Sequence, residues 1–215
     1  MLSKLYKNRF DGKVIIKEKN ELWKVLCRNF FQKFIPENST VVDLAAGYCE
    51  FINNIKAQKK IAVDLNNDTK EFAKPGVNVL IEDITKLSLN DSSADIVFIS
   101  NLFEHLNSRE EILKVLNESY RILKSNGIII ILQPNINYIG TKYWDFFDHK
   151  IALSDKSLAE ALRFSNFKIL KLLPRFLPYT TKSGLPKWPF LVKLYLKYRL
   201  LWNLFGQQCL IIAEK

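Results

Sequence analysis

Between residues 41 and 133 the chain alternates short apolar runs with helical stretches, and few folds accept that rhythm. Strands are predicted at 41–45, 60–64, 77–81, 95–100 and 127–133, with helices at 50–57, 69–73 and 109–124 between them. Consecutive strands joined through helices lie parallel, and parallel strands need a cover on both faces. An open α/β sheet flanked by helices on each side follows.

The ends of the chain extend this pattern. Residues 1–18 are mixed and basic and read as a loosely attached arm. Leu22, Val25, Leu26, Phe30, Phe31 and Phe34 recur at helical spacing within 20–34, and Pro36 closes that helix. Downstream, 135–153 is aromatic-rich and irregular. Ser154 caps a helix running to Arg163, and 167–173 reads as a sixth strand. A second irregular insertion, 174–205, carries Pro174, Pro178, Pro186 and Pro189, and 207–213 is a final strand. The whole chain, 1–215, fits one domain: an N-terminal arm and helix (1–37), a binding half (38–133), and insertions at 134–153 and 174–205.

The composition is that of a soluble globular protein, 48% apolar and 25% charged. The net charge of +10 favours an anionic partner such as a phosphorylated small molecule, acidic lipid or nucleic acid, although solvated lysines give the same sum. Cys27, Cys49 and Cys209 are far apart and odd in number, which argues against a disulfide framework or a structural zinc site. The first residues lack the apolar run of a signal peptide, and no stretch of about 18 uncharged apolar residues occurs. A cytoplasmic protein is expected.

Polar residues sit where ligands bind in open parallel sheets, just past the strands. Asp43 ends the first strand and opens the small-residue loop Asp-Leu-Ala-Ala-Gly-Tyr-Cys-Glu, which is predicted to lead into a helix. Asp64 ends the second strand, Asp83 follows the third and Asn101 the fourth. Asp64 lies about 20 residues beyond the loop, the place for a carboxylate that grips vicinal ribose hydroxyls. One acid after one strand is often only a turn or helix cap; four polar residues at equivalent places form a set.

On these residues the chain resembles the class I S-adenosylmethionine-dependent methyltransferases, in the branch of small-molecule O- and C-methyltransferases. The resemblance is good over 38–133 and beyond that follows the order of elements. It implies a Rossmann-like, seven-stranded, mostly parallel sheet with helices on both faces and an antiparallel last strand. It also implies S-adenosylmethionine as cofactor and S-adenosylhomocysteine as product. Carried over by position, Asp43 and the Ala45–Gly47 backbone face the methionine part, and Asp64 with Leu65 the ribose and its surroundings. Asp83 and Ile84 hold the adenine, and Asn101 and Leu102 line the other side. The family loop is Asp/Glu-x-Gly-x-Gly-x-Gly; here Gly47 is kept, while Ala45 and Cys49 stand for the first and third glycines. A nicotinamide dehydrogenase also places an acid after its second strand, but the loop does not spell Gly-x-Gly-x-x-Gly.

Transfer to a hydroxyl needs a base, and imidazole suits that task near neutral pH. His105, in Asn-Leu-Phe-Glu-His-Leu, and His149, in Tyr-Trp-Asp-Phe-Phe-Asp-His, are the two histidines and near-equal candidates. The first segment also resembles the quinone-biosynthesis O-methyltransferases, whose Glu-x-x-Glu-His pattern is linked to a divalent metal. Asn101 replaces the first acid here, so no metal is expected. Tyr143, Trp144, Asp145 and Asp148 are candidates for an acceptor pocket. In the second insertion Arg175, Tyr179 and Lys182 are candidates for an anionic group of the acceptor.

Residues 189–205 are predicted as one basic, aromatic helix that either docks on the body or a second subunit, or lies on a membrane. Both insertions resemble methyltransferases of bacterial surface-polysaccharide biosynthesis. The expected function is O-methylation of a sugar, nucleotide sugar or glycan precursor, in the cytoplasm or at the inner membrane face, with membrane contact through 187–205. Alternatives are a quinone- or lipid-type acceptor at the membrane, or RNA. The basic residues are scattered, so no nucleic-acid partner is expected.

Overall fold

Strands with apolar residues on both faces are stable only when covered on both sides, and the apolar runs fold accordingly into one seven-stranded sheet. The computed structural model describes residues 13–179 and 188–215. The strands are β1 (Thr40–Leu44), β2 (Lys59–Asp64), β3 (Val77–Ile81), β4 (Ala94–Ser100), β5 (Leu123–Pro134), β6 (Lys168–Leu177) and β7 (Gln208–Glu214). Their spatial order is β3-β2-β1-β4-β5-β7-β6. The first five pair in parallel, and β7 runs antiparallel between β5 and β6. This is the mostly parallel, Rossmann-like sheet with an antiparallel seventh strand that the resemblance implies.

Alternate residues of each strand feed two separate cores. Val42, Leu44, Val97, Ile99, Ile129 and Ile131 pack with α3 (Arg109–Ile122) and α5 (Asp155–Phe164). Val41, Ile96, Phe98, Ile130 and Leu132 pack with α1 (Lys13–Asn29), the 3-10 turn Phe31–Phe34 and Trp202. Capping fixes where two of the helices start. Ser108 accepts from the Glu111 N–H, and Ser154 forms a reciprocal box with Ser157. Short helices α2 (Thr69–Phe72) and α4 (Ile136–Ile139) lie in the crossovers, and α6 (Pro189–Lys197) and α7 (Arg199–Phe205) precede β7.

Four expectations need correction. Of the arm expected over 1–18, residues 13–18 are helical, the first turns of α1, and 1–12 lie outside the described residues. No helix forms over 50–57, where the chain makes successive turns. There the Asn54 side chain donates to the Glu50 carbonyl, while the Asn54 N–H goes to Phe51. The side chain thus takes the acceptor a helix would need. Strand β6 continues four residues further, through Pro174 to Leu177. It lies at the sheet edge, and its register with β7 shifts between Leu173 and Leu177, which accommodates the missing proline N–H. The helix predicted over 189–205 is two helices broken at Tyr198. The Trp202 indole donates to the Tyr195 carbonyl at 2.8 Å, the acceptor a continuous helix would use for Arg199.

Candidate active site

The site is built at the carboxyl ends of β1, β2 and β4, where the chain leaves the sheet in tight turns. After β1, Ala45, Gly47 and Cys49 all take left-handed backbone angles, with φ of 57°, 53° and 59°. All three are positions where the family has glycine, and two of them, Ala45 and Cys49, carry a side chain here. The chain therefore keeps the glycine geometry while paying the steric cost of a Cβ, about 1 kcal/mol per residue. A Cβ on Gly47 would meet nothing within 4 Å, so the loop faces open space there.

Asp64 ties this loop to the second crossover. Its carboxylate accepts the Gly47 N–H at 2.7 Å and the Asn66 N–H at 2.8 Å. The next residue, Leu65, is 61% exposed, an apolar side chain set beside the carboxylate. Asp43 is buried, and its acidity is pushed well down: burial raises its pKa, with Glu50 and Asp64 adding to the effect and the Ile52 N–H opposing it. Burial with the same acids raises the Cys49 thiol to about 12, so this cysteine is a small packing group and not a nucleophile. From α1, Lys19 reaches Glu50 at 2.8 Å.

Asp83 is exposed and accepts from both the N–H and the hydroxyl of Thr85, which hold its pKa below the usual carboxylate range. Ile84 behind it is buried. Asn101 has φ of 51°, donates its N–H to Leu132, and has a buried side-chain oxygen without a partner among the described residues. Leu102 is buried beside it. The open loop, the exposed leucine next to a carboxylate and the unanswered Asn101 oxygen fit a cofactor with ribose, apolar and donor groups.

The second half of the site joins the β4 exit to the 134–153 insertion. The His105 Nδ1 lies 3.3 Å from both the carbonyl and the Oδ2 of Asp148, and its Nε2 lies 3.9 Å from Glu104. The two histidine rings stand 5.2 Å apart. His149 is stacked on Phe146, packs against Tyr143 and has the Tyr179 hydroxyl 3.3 Å from its Nε2. Glu104 is buried, accepts from Gln133, and burial raises its pKa. Ligand atoms of Glu104, His105 and His149 lie within 4.8 Å of one another.

Several sequence-derived candidates have other engagements. Tyr143 is fully buried and donates its hydroxyl to the Ile151 carbonyl, so it supports His149 with its ring. Trp144 and Asp145 are exposed on the insertion. The Arg175 guanidinium donates to the Gly206 and Leu204 carbonyls and stacks over Tyr138. Lys182 lies outside the described residues. Sequence reading did not find the closure of Glu104, Gln133 and both histidines into one group. Gln133 ends the fifth predicted strand, the same rule that found Asp43 and Asp64.

Residues 42–131 match the family model described as a methyltransferase domain. An uncharacterized protein of Methanocaldococcus jannaschii is 30% identical over 130 residues, 60% of this chain. The match spans 55% of that curated relative's length. Among solved structures, a SAM-dependent methyltransferase from Archaeoglobus fulgidus matches with a TM-score of 0.69 and 24% identity, covering 99% of both chains. One from Thermotoga maritima, described as a possible histamine N-methyltransferase, matches with a TM-score of 0.69, 20% identity and coverage of 97% and 98%. Identities this low show the fold. Residues 42–131 thus resemble a methyltransferase domain, and the chain as a whole has the fold of the S-adenosylmethionine-dependent methyltransferases.

Proposed function

We propose that the chain methylates a hydroxyl group on a sugar, nucleotide sugar or related glycan precursor, as in surface-polysaccharide assembly, with His105 as the base. The observation that carries this is the Asp148–His105 pair facing His149. A carboxylate on Nδ1 fixes the imidazole tautomer and leaves Nε2 as the proton acceptor. Asp43, the Ala45–Gly47 backbone, Asp64, Leu65, Asp83, Ile84, Asn101 and Leu102 would hold the cofactor. When bound, S-adenosylmethionine supplies a methyl group on a sulfonium, and its transfer to oxygen requires the hydroxyl proton to leave. His105 takes that proton. His149, held by Phe146 and Tyr179, positions the acceptor oxygen, and these rings form the apolar wall a sugar ring packs against. Tyr179, with Arg175 and Lys182 nearby in sequence, lies on the segment we assign to an anionic part of the acceptor. Three buried cysteines, none in a disulfide, suit a reducing cytoplasm, where we place the reaction.

A screen of nucleotide sugars for the gain of one methyl group by mass spectrometry tests the acceptor class. Methylation of an amine instead would replace O- by N-transfer, and RNA binding that falls steeply with salt would replace the acceptor class. His105→Ala that leaves turnover intact removes His105 as the base.

The cluster of Glu104, His105 and His149 favours a second reading, in which these three residues would hold a divalent ion that would lower the pKa of the acceptor hydroxyl. Turnover lost to a chelator and restored by Mg2+, Mn2+ or Zn2+ would select it. Turnover indifferent to chelation selects the imidazole.

A further inference from the structure

We propose that the outer side of α6 and α7, together with Trp188, docks on an anionic lipid bilayer. The two helices are two-sided. Their inner residues Val192, Tyr195, Leu196 and Trp202 pack on the core around Phe30 and Phe176. Tyr195 also donates its hydroxyl to the Phe176 carbonyl at 2.6 Å. The pair is thus anchored to the body, and the side that remains outward is set by that anchoring.

That outward side is apolar where a solvent-facing surface is ordinarily polar. Trp188 is 70% exposed, Phe190 70%, Leu200 75% and Leu204 67%. Four large apolar side chains exposed on two adjoining helices and the residue that precedes them mark an interaction surface. Lys193, Lys197 and Arg199 are exposed among these residues, and none of the three is in an ion pair among the described residues. Aromatic and aliphatic side chains interleaved with cations are the composition of an interfacial helix. Neither helix is long and apolar enough to cross a membrane, so the surface would lie on the bilayer.

Charge identifies the occupant. Residues 161–213 contain nine lysines and arginines and no aspartate or glutamate. A second copy meeting this surface through a two-fold axis would set Lys193, Lys197 and Arg199 against their own like charges, with no acid in the segment to answer them. An anionic headgroup layer answers all three. Arg175 joins the surface to the acceptor side, since it binds the Leu204 and Gly206 carbonyls while stacked over Tyr138, which precedes exposed Trp144 and Phe147. The inference is independent of which acceptor is methylated.

Flotation of the full chain with vesicles tests it. Binding is expected to phosphatidylcholine vesicles containing phosphatidylglycerol, to weaken with salt, and to be much weaker on phosphatidylcholine alone. The triple variant Lys193→Gln, Lys197→Gln, Arg199→Gln should lose affinity for the anionic vesicles on the order of 100-fold, from the usual contribution of each cation near a charged surface. Leu200→Ser with Leu204→Ser should also release the protein, while circular dichroism and S-adenosylhomocysteine binding remain those of the parent. No binding by the parent, equal binding to neutral vesicles, or binding unchanged in the triple variant would overturn the proposal. So would a dimer in sedimentation that Leu200→Ser with Leu204→Ser disperses, since a second copy would then occupy the surface.

Discussion

The two ends of the parallel sheet are built from similar residues and treat them in opposite ways. At the amino-terminal end Asp95 accepts the Thr40 N–H at 2.7 Å and the Lys124 ammonium at 2.8 Å, and its pKa is lowered. Beside it Arg121 bridges Glu118, Asp91 and the Leu87 and Leu89 carbonyls. Each acid there has a cationic or N–H partner. At the carboxyl end Asp43 and Glu104 are buried acids whose pKa values are raised, and Ala45 and Cys49 hold left-handed angles. One end lowers the free energy of the fold; the other spends part of it to keep donors, acids and imidazoles ready for ligands.

The largest expected contrast is in cofactor affinity. Asp64→Ala removes a carboxylate and the clamp on the Gly47 and Asn66 N–H groups. Charge-assisted hydrogen bonds contribute roughly 1.5–3 kcal/mol each, so calorimetry should show S-adenosylhomocysteine binding weakened by about 100-fold or more. Asp95→Ala, at the other end, should leave that affinity within about twofold. Equal losses in the two variants would erase the distinction between the ends.

Stability should show the reverse. Asp95→Ala orphans the Thr40 N–H and should cost about 1–2 kcal/mol in urea denaturation at neutral pH. Its folded-state pKa lies below the unfolded one, so its stabilisation is present above the ordinary aspartate range and is lost as pH falls through the lowered value. The gap between parent and variant should therefore close in acid.

Glu104→Gln should behave oppositely. A raised folded-state pKa means a contribution that is full below the ordinary glutamate value and lost as pH rises through the raised one. The ionised acid is then a burden, so the variant should gain on the order of 1 kcal/mol over the parent at alkaline pH, where Gln has no charge to desolvate. The gain should vanish below about pH 4. Turnover should fall in the same variant. A variant less stable than the parent at high pH would mean that the Gln133 contact outweighs burial.

The strands of the sheet were legible in the sequence because apolar alternation is a local signal. The two helix layers follow from the same pattern, whereas the antiparallel last strand was implied by the family resemblance. The carboxyl end was legible only in part. Asp43 and Asp64 are found by their position after strands, but Asp148 meets His105 across 43 residues of chain, and no spacing rule joins them. Pairing through side chains also overrode propensity where Asn54 replaced a helix with turns, and where Trp202 broke 189–205 in two. Arg175 meets the Gly206 and Leu204 carbonyls across 31 and 29 residues of chain, and no local signal announces those contacts either.

The smallest effect concerns the loop that departs from glycine. Ala45→Gly removes the Cβ from a left-handed position, a relief of about 1 kcal/mol. Glycine also frees the unfolded chain, which costs about 0.4–1 kcal/mol. The Cβ packs against the core face shared by β1 and α3, and that contact is lost too. The net change should lie within about 0.5 kcal/mol of zero by urea denaturation, with S-adenosylhomocysteine affinity unchanged within about threefold. Asn126→Gly, at the register shift near the start of β5 and with φ of 61°, starts from a residue that tolerates this angle and should gain less relief. Were Ala45→Gly to destabilise by more than about 1 kcal/mol, the alanine would be a packing residue of this end of the sheet and not a tolerated substitute for glycine.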